Sequence, residues 1–197
     1  PDLLVTALSA DGSISAKAVT TTRLVGELAA YQRLAPLATA ALGRALSCVL
    51  LIADGLKDDE TFQVKFQGDG PLRGVFALAD GAGSCRGYVG NPAVTLPPNA
   101  RGKLDVGAGV GKGTLQVVRV KNLPGQEVAS PYQSISEIRS GEIAEDLNAF
   151  LCESEQREGA LAAGVYVDGT HAALDRSGAS ADGVARVAAA AGWYVQL

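Results

Sequence analysis

The stretch from Thr61 to Val89 constrains the fold most tightly. Thr61, Gln63 and Lys65 alternate with Phe62, Val64 and Phe66, a period of two that predicts a strand with one buried and one wet face. Gln67-Gly-Asp-Gly-Pro71 then crowds together residues that accept positive φ or pre-set a turn, so the chain reverses there. Val75 to Leu78 follows as a second, more apolar strand. Asp80-Gly-Ala-Gly83 is a further turn cluster, after which Cys85, Gly87 and Val89 alternate with Arg86, Tyr88 and Gly90. The expected product is an antiparallel meander of three strands.

Two glycine clusters invite a phosphate-loop reading, and spacing rejects both. After Gly68-Asp-Gly70 the chain runs through Pro71-Leu-Arg-Gly74 into β-branched and aromatic residues, whereas a dinucleotide fingerprint must open a helix. In Lys103-Leu-Asp-Val-Gly-Ala-Gly-Val-Gly-Lys-Gly-Thr114 the first glycine of a Walker A loop would fall on Val106, and Gly113 intervenes before Thr114. That segment reads as a glycine-rich turn feeding a strand from Leu115 to Val120.

With 197 residues and 47% hydrophobic content, the chain can bury a core of its own, most simply as one domain over 1–197 or as a domain with an extension. A net charge of −4 and a pI near 5.0 speak against a general nucleic-acid binder. No apolar window is long enough to span a bilayer without an Arg, Asp or Gly interrupting it, so a membrane is not an expected partner. From Pro1 onward there is neither a basic n-region nor an apolar h-region, and the start of the sequence does not reveal a compartment.

Cys48, Cys85 and Cys152 stand far apart, with no C-x-C or C-x-x-C pair among them, and His171 is the one histidine. A structural zinc site wants four N or S ligands, usually in close pairs, so no metal is expected within these residues. Cys48 lies in the apolar run SCVLL and Cys152 in a helical pattern, where buried inert thiols are the common outcome. His171 reads as a solvated loop residue in Asp168-Gly-Thr-His-Ala. No catalytic or cofactor-binding residue is assigned.

In chain order, Leu3 to Leu8 and Ile14 to Val19 read as an opening hairpin around Ser9-Ala-Asp-Gly12. Thr20-Thr-Thr22 offers N-cap hydroxyls to a first helix, with Leu24, Val25, Leu28 and Tyr31 at helical spacing, ending near Arg33. Pro36 opens a second helix, and Ala38 to Ile52 is apolar nearly all round. Such a helix lies between layers or at a subunit contact. Its one charge, Arg44, reads as a side chain snorkelling outward rather than as an anion ligand. Asn91 to Pro98 is an extended connector.

After a loop holding Pro124 and Pro131, Ser140 is placed to cap a helix from Gly141, with Glu142, Glu145 and Asp146 at the positive end of its dipole. Ile143, Leu147, Phe150 and Leu151 form its apolar face, and Glu153 and Glu155 extend the polar side. Leu161 to Asp168 reads as a strand. A loop through Gly183 and a last strand within Val184 to Leu197 complete the chain.

Several words in this order resemble one family. PLATAALGRAL at Pro36 to Leu46, GDGPLRG at Gly68 to Gly74, RGYVGNP at Arg86 to Pro92, GKLDVGAGVGKGTLQV at Gly102 to Val117, SGEIAEDL at Ser140 to Leu147 and SEQ at Ser154 to Gln156 look like the N-terminal core of the heat-shock protein 33 family, the redox-regulated holdase chaperones. The resemblance implies an α/β fold of the α+β type, with two antiparallel-rich sheets and intervening helices. It also implies a cytoplasmic homodimer, or one in an organelle stroma or matrix, that binds unfolding client proteins without ATP and acts in the stress response. No nucleic acid or membrane partner goes with it.

In that family a C-terminal module with a C-x-C and a C-x-x-C binds zinc. Cys48, Cys85 and Cys152 match none of those four positions, so no zinc and no thiol switch are expected in these 197 residues. The segment Leu174 to Gly183 looks longer than the family's usual turn and reads as a mobile loop. Against the chaperone stands a different class, a small-molecule enzyme or binding protein using the glycine turns and the acidic helix at 140–156. That class needs a pocket with convergent polar groups, whereas a holdase needs contiguous apolar surface.

Overall fold

Helix α2 (Pro36–Ala53) is buried at every residue except Arg44, because its sequence carries alanine, leucine and valine on all sides and so needs cover all round. Two antiparallel sheets supply that cover in a computed structural model that describes residues 1–57, 60–121, 131–168 and 184–197. One has four strands in the order β1 (Leu4–Leu8), β2 (Ser15–Thr20), β9 (Val187–Gln196), β8 (Gly159–Val167). The other has five, in the order β5 (Cys85–Val89), β4 (Val75–Asp80), β3 (Glu60–Gly68), β6 (Gly113–Lys121), β7 (Tyr132–Ile138).

Close approach marks α2 as the middle layer. A Cβ on Gly87 of β5 would stand 2.8 Å from Leu42 Cδ1, and one on Gly192 of β9 would stand 3.1 Å from Leu51 Cδ1. At these two points the strands meet the helix where they lack side chains, and at Gly43 it is the helix that lacks one, opposite Val165 of β8. Length and hydropathy alone would let α2 cross a membrane, contrary to the expectation from its Arg and Gly. Here it is the core helix instead.

The opening hairpin and the β3-β4-β5 meander form as expected, with Phe66 across from Val75 and Phe76 across from Tyr88. The Asp80 turn closes through its own carboxylate, which accepts from Ala82 N and Ser84 N. The connector from Asn91 to Pro98 is irregular, as its prolines require.

Several local expectations are corrected. Helix α1 (Thr22–Gln32) has no threonine cap; the Asp2 carboxylate accepts from Arg23 N and Leu24 N at 3.1 and 2.8 Å. Thr21 is buried instead, its hydroxyl 2.7 Å from that of Ser47 in α2. The glycine-rich turn before β6 contains a short helix, α3 (Val106–Val110), because the Asp105 carboxylate accepts from Ala108 N. Strand β7 falls where the sequence shows only polar alternation; as an edge strand with one neighbour it tolerates an apolar content too low to signal it.

Helix α4 spans Ala144–Ser154, starting after Gly141. Ile143 (φ 62°, ψ −71°) centres a tight turn in which Ala144 N donates to Glu142 O at 2.7 Å. This strained conformation is rare for a β-branched residue. It is held by Asp146, which is not on the wet side but 4% exposed. Its carboxylate accepts from the backbone of Arg139, Ser140 and Gly141, at 2.8, 3.0 and 2.7 Å. The expected apolar face of this helix, Ile143, Leu147, Phe150 and Leu151, is fully buried.

Candidate functional site

Strands of the four-stranded sheet alternate between α2 and the outside. Val19, Leu161, Ala190 and Tyr194 point inward and are buried. The opposite positions form rows across the sheet: Val5, Ala18, Trp193 and Ala162 lie abreast, and beside them Ala7, Ala16, Val195 and Ala160. A third row joins Thr20, Ala191 and Gly164, with Leu3 at its end. No residue in these rows is charged.

Nothing among the described residues covers this face. Trp193 is 46% exposed, Tyr166 45%, Val5 51% and Leu3 62%. Between the Tyr166 and Trp193 rings, Ala162, Gly164, Ala189 and Ala191 offer nothing larger than a methyl, which leaves an open hollow of about 420 Å³. A contiguous apolar surface of this kind marks an interaction site, because scattered apolar residues would be interrupted by charge. The sequence carried a signal for it: VAAAAGWYVQ in β9 is apolar on both alternations, the pattern of a strand with both faces meant for cover.

The residues weighed from sequence are placed elsewhere. Cys48 is buried in α2 and its thiol is pushed up to about 12 by loss of water. Burial also raises the Cys85 thiol, with the Asp80 charge adding to it. Cys152 is half-buried and its Sγ lies 3.8 Å from Gly159 O. His171 and the Leu174 to Gly183 segment lie outside the described residues. Among the described residues no three His, Cys, Asp or Glu side chains gather to hold a metal ion.

The two glycine clusters interlock rather than face a ligand. A Cβ on Gly68 would sit 1.9 Å from Val110 O, and Asp69 Oδ1 accepts from Lys112 N at 2.7 Å. Among the carboxylates of 140–156, Glu142, Asp146, Glu153 and Glu155 are occupied structurally. Glu142 pairs with Arg44, which therefore does not reach out to solvent as expected. Glu153 takes a two-pronged bond from Arg139 at 2.6 and 2.7 Å. Glu155 stands 3.4 Å from Arg119 and 3.8 Å from Arg157, and the Arg119 guanidinium lies 5.7 Å over the Phe62 ring. The strands and helices thus bring the acidic residues to loop anchors and leave the apolar face as the candidate site.

The comparisons agree with this architecture. A family model described as Hsp33 protein matches residues 2–197. A relative named 33 kDa chaperonin from Acaryochloris marina is 47% identical over 167 residues, covering 84% of this chain and 54% of its own length. Another of that name, from Symbiobacterium thermophilum, is 46% identical over 197 residues, 100% of this chain and 60% of the relative. The crystal structure of the 33 kDa chaperonin (heat shock protein 33 homolog) of Thermotoga maritima superposes with a TM-score of 0.83 at 35% identity, covering 98% of this chain and 60% of that one. The chain therefore spans little more than half the length of these relatives. On the family match and these identities, the chain belongs to the Hsp33 protein family.

Proposed function

We propose that this chain is the client-binding core of a holdase chaperone that captures unfolding proteins without ATP and limits their aggregation. The uncharged outer face of the four-stranded sheet, with Trp193, Tyr166, Val5 and Leu3 exposed, carries this reading. Holding an unfolded segment requires apolar contact, worth about 25 cal/mol per Å² removed from water, so several hundred Å² supports useful if weak binding. Family membership and the chaperonin name of the relatives support the same class. No residue needs to do covalent chemistry for it.

Pairing of two copies and a cytoplasmic setting go with the family reading. The apolar helix that suggested a subunit contact is spent inside the core, so a homodimer would use other surface. Redox control is assigned to residues outside this chain, and these 197 residues hold clients whether reduced or oxidised.

Light scattering of a thermally unfolding client tests the reading. The chain should suppress aggregation equally under reducing and oxidising conditions, and Val5→Asp or Trp193→Asp should weaken that suppression while leaving the circular dichroism spectrum unchanged. No suppression by the parent chain in either condition would overturn the assignment.

A further inference from the structure

We infer that an extended segment of an unfolding protein is taken up as a fifth strand on the free edge of β1, with its alternate apolar side chains laid on the outer face. This rests on the client-binding reading above and specifies how that site recognises a polypeptide. The ladder register shows what the edge offers. Thr20 N donates to Leu3 O and Ser9 N to Ile14 O, both at 2.8 Å, bracketing β1 at its two ends. In an antiparallel pair, directly bonded positions recur every second residue. Leu3, Val5 and Ala7 therefore spend their backbone groups on β2, and the N–H and C=O of Leu4, Thr6 and Leu8 face away from the sheet.

The division of labour follows from what each surface lacks. The outer face has almost no hydrogen-bonding side chains, so an extended chain lying flat on it would leave buried amides without partners, at about 1–3 kcal/mol each. The β1 edge supplies those partners in the geometry of strand addition. Along the edge, a segment opposite the five residues of β1 would place every second side chain in register with Val5 and Ala7, at the near end of the rows that run through Trp193 and Val195.

The other edges are less suited. Gly87 O of β5 already accepts from Gln32 Nε2 at 2.8 Å, and Arg86 stands exposed beside it. On β8 the register shifts between Tyr166 and Val167, and Gly159 O receives the Cys152 thiol. On the outer face beside β7, Ile135 and Val118 alternate with Gln116, Gln133 and the charged Glu137, so the apolar bed there is interrupted. In β1 the sequence LVTAL has no charge, no proline and no bulge to blunt it.

The recognised class is an extended segment, apolar at alternate positions and free of demands at the others. Thr6→Pro tests it, since proline removes the central outward N–H while sparing the bonds to β2 and the outer face. Thr6→Val is the control; it loses the Thr6 Oγ1 bond to Asp54 (3.1 Å) but keeps the N–H. Binding of a short fluorescein-labelled peptide of alternating valine and serine is read by anisotropy. Thr6→Val should bind as the parent does, and Thr6→Pro at least about tenfold more weakly.

Peptide chemistry gives a second arm that needs no variant. In the antiparallel addition that continues the pattern of this sheet, residues opposite Thr6 share its face, so the serine nitrogens point at β1 and the valine nitrogens at solvent. N-methylation of the serines should abolish binding, and N-methylation of the valines should not. Equal binding by Thr6→Pro, or equal loss from both methylations, overturns the edge mode. Undiminished binding by Val5→Asp overturns the surface reading beneath it. A parent dimer that Thr6→Pro dissolves would place a second copy on the edge and also overturn the inference.

Discussion

Arg44, the single charge of the central helix, is ion-paired with Glu142 in the loop that leads into α4. The Arg44 side chain is 18% exposed and Glu142 34%, so the pair sits in a partly dry seam. Truncating one partner strands the other charge. Glu142→Ala should cost about 1–3 kcal/mol in urea unfolding, and replacing both partners by apolar residues should recover much of the loss. An undiminished midpoint in Glu142→Ala would show that solvent screens the pair completely.

Asp146 anchors the strained turn at Ile143. Its carboxylate takes three backbone amides and the Ser140 hydroxyl. Asp146→Ala should destabilise by about 3 kcal/mol, the scale of losing several charge-assisted bonds at a buried position. Hydrogen exchange at Ser140 and Gly141 should accelerate before that of the five-stranded sheet. Uniform exchange across the molecule would mean that the turn is not held locally.

The tip of the opening hairpin carries a pH-dependent contact. Hydroxyl and amide donors from Ser9 and Ser13 lower the Asp11 carboxyl from 3.8 to about 2. Because the folded value lies below the unfolded one, its contribution is complete above pH 3.8 and is lost as pH falls through about 2. A carboxyl NMR titration should give that low midpoint, and Ser9→Ala should move it back toward the ordinary value. Asp11 is fully solvated, so global stability should hardly change.

Cys48 should resist chemistry that reaches the other thiols. Its value of about 12 leaves almost no thiolate at mildly alkaline pH, and α2 has no exposed face there. Native alkylation read by mass spectrometry should label Cys85 and Cys152 before Cys48, which should react only after denaturation. Early labelling of Cys48 would reveal opening of the core.

Elements whose side chains divide cleanly between inside and outside were legible in the sequence. Phe62, Val64 and Phe66 predicted β3, and Ile143, Leu147, Phe150 and Leu151 predicted the buried face of α4, since burial of an apolar stripe imposes the period on the residues. Polar roles were not legible in that way. Thr21, Ser140 and Asp146 are all competent caps by type, and which of them caps depends on contacts that arise only when distant segments meet. Asp2 displaces the threonines at α1 because the opening hairpin brings it to the helix start.

The site divides along the same line. The matched words were enough to suggest the chaperone class, which composition did not show, and the two-sided apolar content of β9 was present to be read. That Trp193 lies abreast of Ala18 and Val5, with Ala162 on its other side, is a matter of register between strands from opposite ends of the chain. A one-residue slip would turn every one of these side chains toward α2. Local sequence determines which residues can form strands; only the packing of both sheets on one buried helix decides which strand faces are turned inward and which are left open.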